Sequence, residues 1–312
     1  MNDNQHRKRL RIGTRESLLA RWQAEWVAAQ LRDLGCEVAL VPIRTRGDAD
    51  QRGPIGTLDS QGVFTKELQR ALLDDEIDLA VHSLKDLPTD EVAGLQLAAV
   101  PERGPVADAL VCREARCLDE LPQGAIVGTG SLRRRAQLLL CRSDLRVEDI
   151  RGNVDTRLRK LDQGRYDAIV LAEAGLTRLG LDSRISETLP LAVMLPAVGQ
   201  GALGIETRAE PDAVATLGAL DHSPTRAAVA AERSMLAALR GGCLAPIGAL
   251  GSVRRDRLTL QGRVVHPLGA RAIDVSLSAP LDEVVGLGQR VADALRAEGA
   301  DELIRLGRTP SP

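Results

Sequence analysis

The segment GTGSLRRR, residues 128–135, sits where a short apolar run meets a helical pattern, and its residue types suit anion binding. Small residues clear the backbone, Ser131 is placed to cap the helix, and the first turn presents free N–H groups. Arg133 and Arg134 add two cations there, which oppose the helix dipole unless a negative group lies between them. The arrangement recurs at RGNVDTR, where Arg151 ends a strand, Gly152 and Asn153 turn, and Arg157 lies early in the next helix. It recurs again at GTRES, with Arg15 after a strand and Ser17 at a helix start. Three such junctions would line the carboxyl edge of open α/β sheets and take a ligand with several carboxylates or phosphates. A solvated basic face fits the same residues. The spacing is not GxxxxGK[ST], which disfavours a nucleoside triphosphate.

A second pattern is VHSLKDLPT, residues 81–89, an apolar strand that runs into His82, Ser83, Lys85 and Asp86 before Pro88 stops it. A carboxylate at a strand end beside a lysine suits cation stabilisation or proton transfer. An ordinary surface ion pair and a core histidine fit the pattern as well. The third feature is Cys243, flanked by glycine in RGGCLAPIG after a long helix, an accessible position for a nucleophile or a covalent attachment.

The elements that must carry these residues read as follows. A strand over 9–14, a helix over 17–34 and a strand over 37–45 make a βαβ opening. Residues 46–62 have turn formers and no period, the mark of a long loop. A helix over 64–76 and a buried strand over 77–83 follow. From 105 a second α/β pattern has strands at 109–112, 125–129, 147–150 and 168–172, with helices from 131, 154 and 174, so a mostly parallel sheet is expected. Leu195 to Glu206 is Gly-rich and then apolar, consistent with a hinge returning a strand to the first unit. Beyond 224, a helix over 225–239, strands near 249–253, 258–265 and 272–277, and a helix over 281–298 predict a small α+β unit.

The 312 residues are 44% hydrophobic, enough for a substantial core in two or three domains. Lysine plus arginine is 41 against 43 acidic residues, so the net charge of −2 provides no field for general nucleic-acid binding. Only Trp22, Trp26, Phe64 and Tyr166 are aromatic, too few for a base-stacking platform. Of the 41 basic residues only Lys8, Lys66, Lys85 and Lys160 are lysines, leaving 37 arginines, so an isolated arginine means little here. Five cysteines without a CxxC pair predict neither a disulfide framework nor a zinc site, and no metal is expected. With no apolar run of membrane-spanning length and no export signal, the reading is a cytoplasmic protein with no membrane partner. Monomer is the default expectation.

Taken in order, IGTRES, VFTKEL, VHSLKDLPT, VGTGSLRRR, RGNVDTRL, YDAIVLAEAGLTRLGL, LPAVGQGALGIE and GGCLAPIG closely resemble the porphobilinogen deaminase (hydroxymethylbilane synthase) family. The resemblance runs from about Leu10 to the C-terminal helix and is weakest after Gly251. It implies an α/β fold with two periplasmic-binding-protein-like α/β domains plus a small C-terminal α+β domain. The corresponding boundaries are 1–103 with 198–221, 104–197, and 222–312. It also implies a transferase of tetrapyrrole biosynthesis, joining four porphobilinogen molecules head to tail into 1-hydroxymethylbilane with loss of ammonia. The primer would be a dipyrromethane cofactor, covalent through a thioether.

On this resemblance Cys243 matches the cofactor cysteine and Asp86 the catalytic carboxylate. Ser83, Lys85, Thr129, Ser131, Arg133 and Arg134 match cofactor-binding positions. Arg15, Ser17, Arg151, Arg157 and Arg178 match substrate-binding positions, Gln200 matches a hinge residue near the cleft, and Phe64 matches a lid residue. Each pyrrole carries an acetate and a propionate, which accounts for an arginine-lined cleft. One departure is clear: where the family usually has loop lysines, TLDSQGVF places Thr57 and Gln61. A two-lobed anion-binding protein would share the lobes and arginines but would need neither Cys243 nor Asp86. A catalytically impaired relative is the third reading, motivated by the missing loop lysines.

Overall fold

The structure is a computed structural model that describes residues 9–44, 65–210, 217–242 and 245–308. Thr57, Gln61, Phe64 and Cys243 lie outside the described residues.

The chain opens with β1 (Arg9–Thr14) and α1 (Leu18–Asp33). Helix α1 starts where the Ser17 hydroxyl accepts from the Ala20 N–H at 3.3 Å. It buries Gln23, Ala24, Val27, Ala28 and Leu31, a stripe at helical spacing. It ends at Leu34, after which Gly35 takes a left-handed φ of 85° that favours glycine. Strands β2 (Glu37–Pro42) and β3 (Leu79–Ser83) flank β1 in parallel, and α2 (Lys66–Leu73) precedes β3. A short strand β4 (Leu95–Ala99) follows.

The second unit has β5 (Asp108–Cys112), β6 (Ile126–Gly128), α3 (Leu132–Cys141), β7 (Arg146–Glu148), α4 (Val154–Asp162), β8 (Ala168–Ala172), α5 (Glu173–Arg178) and β9 (Glu187–Thr188). Strand β10 (Leu203–Arg208) then enters the first sheet between β3 and β4, antiparallel to both. The two five-stranded sheets share one plan. Their orders are β2-β1-β3-β10-β4 and β7-β6-β8-β5-β9. In each, three parallel strands are followed by one antiparallel strand and a short edge strand. The parallel strands end on the same edge, where the loops to the helices emerge, so the Arg and Ser/Thr/Asn junctions fall on the ligand-binding edge of both sheets.

Two chain segments therefore cross between the sheets, one before β5 and one before β10, and they run against each other. The Gly104 N–H donates to the Gly201 carbonyl at 3.2 Å. Gly201 has φ 84°, and a Cβ there would come within 2.5 Å of the Pro105 oxygen, so only glycine fits this close passage.

The C-terminal unit is α6 (Ser223–Ala238), an antiparallel sheet of β11 (Ile247–Arg254), β12 (Arg257–Val265) and β13 (Ala272–Pro280), then α7 (Val284–Ala297) and α8 (Ala300–Arg308). Its core joins Met235 and Ala231 of α6 to Leu258 and Leu260 of β12 and to Leu287, Val291 and Leu295 of α7. Each fully buried leucine there contributes about 1.5–3 kcal/mol. The final helix expected over 281–298 is α7, and α8 beyond it was not expected: Gly299 at φ 94° turns the chain and lets Leu303 and Ile304 reach the same core. Strands β4 and β9 were not expected. One is a short edge strand with mixed polarity and the other has two residues, so neither leaves a period to read.

Candidate active site

Strand β3 delivers the VHSLKD segment to its carboxyl end, where Leu84–Asp86 form a 3-10 turn. The Gln23 side-chain amide donates to the Ser83 hydroxyl at 2.8 Å, tying α1 to the strand end. The Leu84 N–H donates to the Ala202 carbonyl at 3.0 Å, and Leu84 and Leu87 pack with Val100, Ala202 and Val229. This fixes the turn from below and leaves Asp86 exposed. His82, left open by the sequence, is a buried core histidine. Its Nε2 lies 3.0 Å from Glu206 Oε2, and Gln69 donates to the other oxygen of that carboxylate at 3.0 Å.

In the second sheet, Thr129 and Ser131 form the turn from β6 into α3. The Ser131 N–H donates to Thr129 Oγ1 at 3.2 Å, and the Ser131 hydroxyl caps Arg134. Arg133 and Arg134 are buried, and the negative group between them is Asp108 at the start of β5. Arg133 Nη1 donates to Asp108 Oδ2 at 2.7 Å and to the Leu195 carbonyl at 2.8 Å. Arg134 donates to Asp108 Oδ1 through Nε at 2.9 Å and Nη2 at 2.7 Å. Gln200 Nε2 donates to the same oxygen at 3.0 Å. Burial pushes the Asp108 carboxyl up, but Arg133 and Arg134 outweigh it and hold the group well below the usual carboxylate range.

The RGNVDTR junction caps α4 through Asn153, which accepts from the Thr156 N–H at 3.0 Å. Arg157 Nε donates to the Gly152 carbonyl at 2.8 Å, and Lys160 Nζ donates to the Arg151 carbonyl at 2.9 Å. Burial, then repulsion from Arg134, lowers Arg157 to about 10, with Asp86 opposing. Lys85 is half-buried at its surface but enclosed by protein, and burial together with Arg134 lowers its ammonium to about 8, with Asp86 and Asp108 opposing. Asp86 thus acts on Lys85 from its own turn and on Arg157 from the other sheet. Lys85, Asp86, Arg133, Arg134, Asp108 and Arg157 form one electrostatic cluster across the two sheets.

The remaining expected residues sit on neighbouring elements. Arg15 follows β1 and is half-buried, while the Ser17 hydroxyl caps α1. Arg178, on α5, donates to the Gly201 carbonyl at 2.6 Å and stands over the Trp22 ring at 5.9 Å. Sequence reasoning missed Asp108, Gln23 and Glu232. Asp108 had a signal, since it is the one charge in the otherwise apolar run ADALV, but its partners are distant in sequence.

A group with two carboxylates on each of two pyrroles fits the cations gathered here. The buried Nε of Arg133 has no hydrogen-bond partner among the described residues, which leaves a donor for an added acceptor. Among the described residues no group of three or more His, Cys, Asp or Glu could hold a metal ion. No helix among them is long and apolar enough to cross a membrane.

Residues 10–216 match the family description "Porphobilinogen deaminase, dipyromethane cofactor binding domain", and residues 226–297 match "Porphobilinogen deaminase, C-terminal domain". A porphobilinogen deaminase of Pelotomaculum thermopropionicum is 46% identical over 305 residues, covering 97% of this chain and 98% of the relative. One from Desulforudis audaxviator is 49% identical over 301 residues, covering 96% and 97%. Among solved structures, a YaeC-family lipoprotein of Enterococcus faecalis V583 aligns with a TM-score of 0.45 at 12% identity, over 68% of this chain and 91% of that one. That last similarity is too low to carry an argument. By both family matches and the near-full-length relatives, the chain belongs to the porphobilinogen deaminase family.

Proposed function

We propose that this chain joins four porphobilinogen molecules head to tail into 1-hydroxymethylbilane, releasing ammonia at each addition and finally cleaving the product with water. The observation that supports the reading is that the exposed Asp86 carboxylate acts electrostatically on Lys85 in its own turn and on Arg157 of the other sheet. When bound as a thioether on Cys243, the dipyrromethane supplies a pyrrole carbon for the incoming unit to join.

The chain's own residues do the rest. The Asp86 carboxylate accepts hydrogen bonds from pyrrole N–H groups and stabilises the positive charge left on the substrate as ammonia departs. Lys85, Arg133 and Arg134, with Ser83, Thr129 and Ser131 beside them, hold cofactor carboxylates. Arg15, Ser17, Arg151, Arg157 and Arg178 hold those of the substrate, Gln200 braces the crossing beside Asp108, and Phe64 closes the cleft. Charge-assisted bonds of this kind are about twice as strong as neutral ones, which suits a growing polycarboxylate. The chain divides into the units 1–103 with 198–221, 104–197 and 222–312. The working state is a cytoplasmic monomer.

Intact-mass spectrometry of the protein beside its Cys243→Ala variant tests the reading. A mass excess equal to two linked porphobilinogen-derived pyrroles, present in the parent and lost in the variant, supports it. A bare parent mass that persists after incubation with porphobilinogen rejects it.

A further inference from the structure

We infer that Arg233, on helix α6 of the C-terminal unit, is a positioning residue for Asp86. Its guanidinium donates to the carbonyls of Leu87 at 2.9 Å and Pro88 at 2.7 Å, the two residues directly after Asp86. Those carbonyls belong to the first unit, so the contact reaches from one unit of the fold into the catalytic turn of another. The inference rests on the reading of Asp86 as the working carboxylate.

Three other contacts hold the same turn and show why one more matters. Before Asp86, the Leu84 N–H is bonded to Ala202, and Gly199, at φ 70°, lies so close that a Cβ would stand 3.2 Å from the Leu84 backbone carbon. Beneath it, Leu84 and Leu87 pack on Val229, one helical turn before Arg233. Arg233 supplies the hold on the downstream side. Asp86 is exposed, so the backbone on either side of it decides where its oxygens stand. A carboxylate that must meet a developing cation tolerates little displacement, and a shift near 1 Å costs on the order of a hundredfold in rate.

The same helix supplies a matched control. Arg226, about two turns earlier on α6, also donates to carbonyls of the first unit, those of Leu97 at 3.3 Å and Ala98 at 2.8 Å. Those carbonyls lie in β4, whose Leu97 side chain packs beneath the turn, and not in the segment that carries Asp86. Both arginines join α6 to the first unit, but only Arg233 touches the segment carrying Asp86.

The test compares kcat, KM and thermal midpoint for Arg233→Ala, Arg233→Met, Arg233→Lys and Arg226→Ala, with Asp86→Asn alongside, all in cofactor-loaded enzyme. The expected result is kcat lowered about tenfold to a hundredfold in Arg233→Ala and Arg233→Met. KM stays within about twofold, Arg233→Lys regains part of the loss through its single remaining donor, and Arg226→Ala keeps kcat despite a lowered midpoint. Arg233→Met and Arg233→Lys retain the apolar stem, so they give the answer even if the alanine variant does not fold. Equal losses of kcat in the Arg226 and Arg233 variants would reduce the contact to general docking and overturn the inference. So would a normal kcat in the Arg233 variants while Asp86→Asn is impaired. A normal kcat in Asp86→Asn would instead remove the underlying reading of Asp86, and this one with it.

Discussion

Arg103 and Glu232 face each other in a two-pronged buried pair, Nη1 to Oε1 at 2.6 Å and Nη2 to Oε2 at 3.1 Å. Arg103 lies in the first crossing between the sheets and Glu232 on α6. The same carboxylate accepts from the Gly199 N–H of the second crossing at 2.7 Å and from the Gly251 N–H of β11 at 2.7 Å. Arg103 Nε also donates to the Gln200 carbonyl at 2.7 Å. One fully buried carboxylate therefore gathers both crossings and the C-terminal unit, and every acceptor position it offers is used.

Removing one partner of such a pair leaves a buried charge without compensation, which is the expensive change. Arg103→Ala should lower unfolding free energy by about 3–5 kcal/mol, measured by urea denaturation. Glu232→Gln, which keeps one acceptor, should cost less. A loss below about 1 kcal/mol in Arg103→Ala would mean that water replaces the guanidinium and that the junction is not closed to solvent.

Asp108 offers a second stability test with a definite pH sign. Its carboxyl is held below the usual range by Arg133 and Arg134 against the opposing effect of burial. A lowered folded-state value contributes stability that is present above the unfolded value, about 3.9, and is lost as pH falls through the folded one. Asp108→Asn should therefore be markedly less stable than the parent at pH 7. The difference should narrow as pH drops below about 4, read from unfolding free energies across that range. A gap constant down to pH 2 would assign the loss to geometry rather than to charge.

What could be read from the sequence divides along the distance between partners. The junctions at Thr129–Arg134 and Asn153–Arg157 were legible because strand end, turn and helix cap are local, and Ser131 and Asn153 do cap their helices. The partner of Arg133 and Arg134 was not, since Asp108 lies 25 and 26 residues away and meets them only once β5 has joined the sheet beside β8. His82 stayed ambiguous for the same reason, because Glu206 reaches it from a strand 124 residues later. The Gly-rich run before β10 signalled a hinge, while its pairing with β3 and β4 is a tertiary fact with no local mark. The two expectations that carry most of the chemistry and the closing of the cleft, Cys243 and Phe64, lie outside the described residues.

Lys85 predicts an alkaline limb in cofactor loading. Burial and the neighbouring Arg134 lower its ammonium to about 8, so above that pH the residue becomes neutral in the free enzyme. As a ligand for the cofactor's carboxylates it then loses its charge, and the rate at which the cofactor-free chain loads its primer from porphobilinogen should fall as pH rises through about 8. Lys85→Arg keeps a cation well beyond this range and should move the limb upward even if its planar head lowers the plateau. A loading profile flat from pH 7 to 9.5 would remove Lys85 from cofactor binding.

Arg178 and Trp22 give the last test, of how one cleft arginine is aimed. The guanidinium donates to the Gly201 carbonyl at 2.6 Å while standing 5.9 Å over the Trp22 ring, and burial lowers it to about 10, still charged at neutral pH. The indole comes from α1 and the arginine from α5, so the ring steadies a cation that belongs to the other sheet's unit. A cation over an exposed aromatic face is worth about 0.5–1 kcal/mol, and Trp22 retains 37% exposure. Trp22→Leu should raise KM about two- to fivefold with kcat little changed, and Trp22→Phe should stay near the parent because it keeps a ring face. If leucine serves as well as phenylalanine, apolar contact between α1 and α5 accounts for the placement, and the Gly201 carbonyl alone directs Arg178.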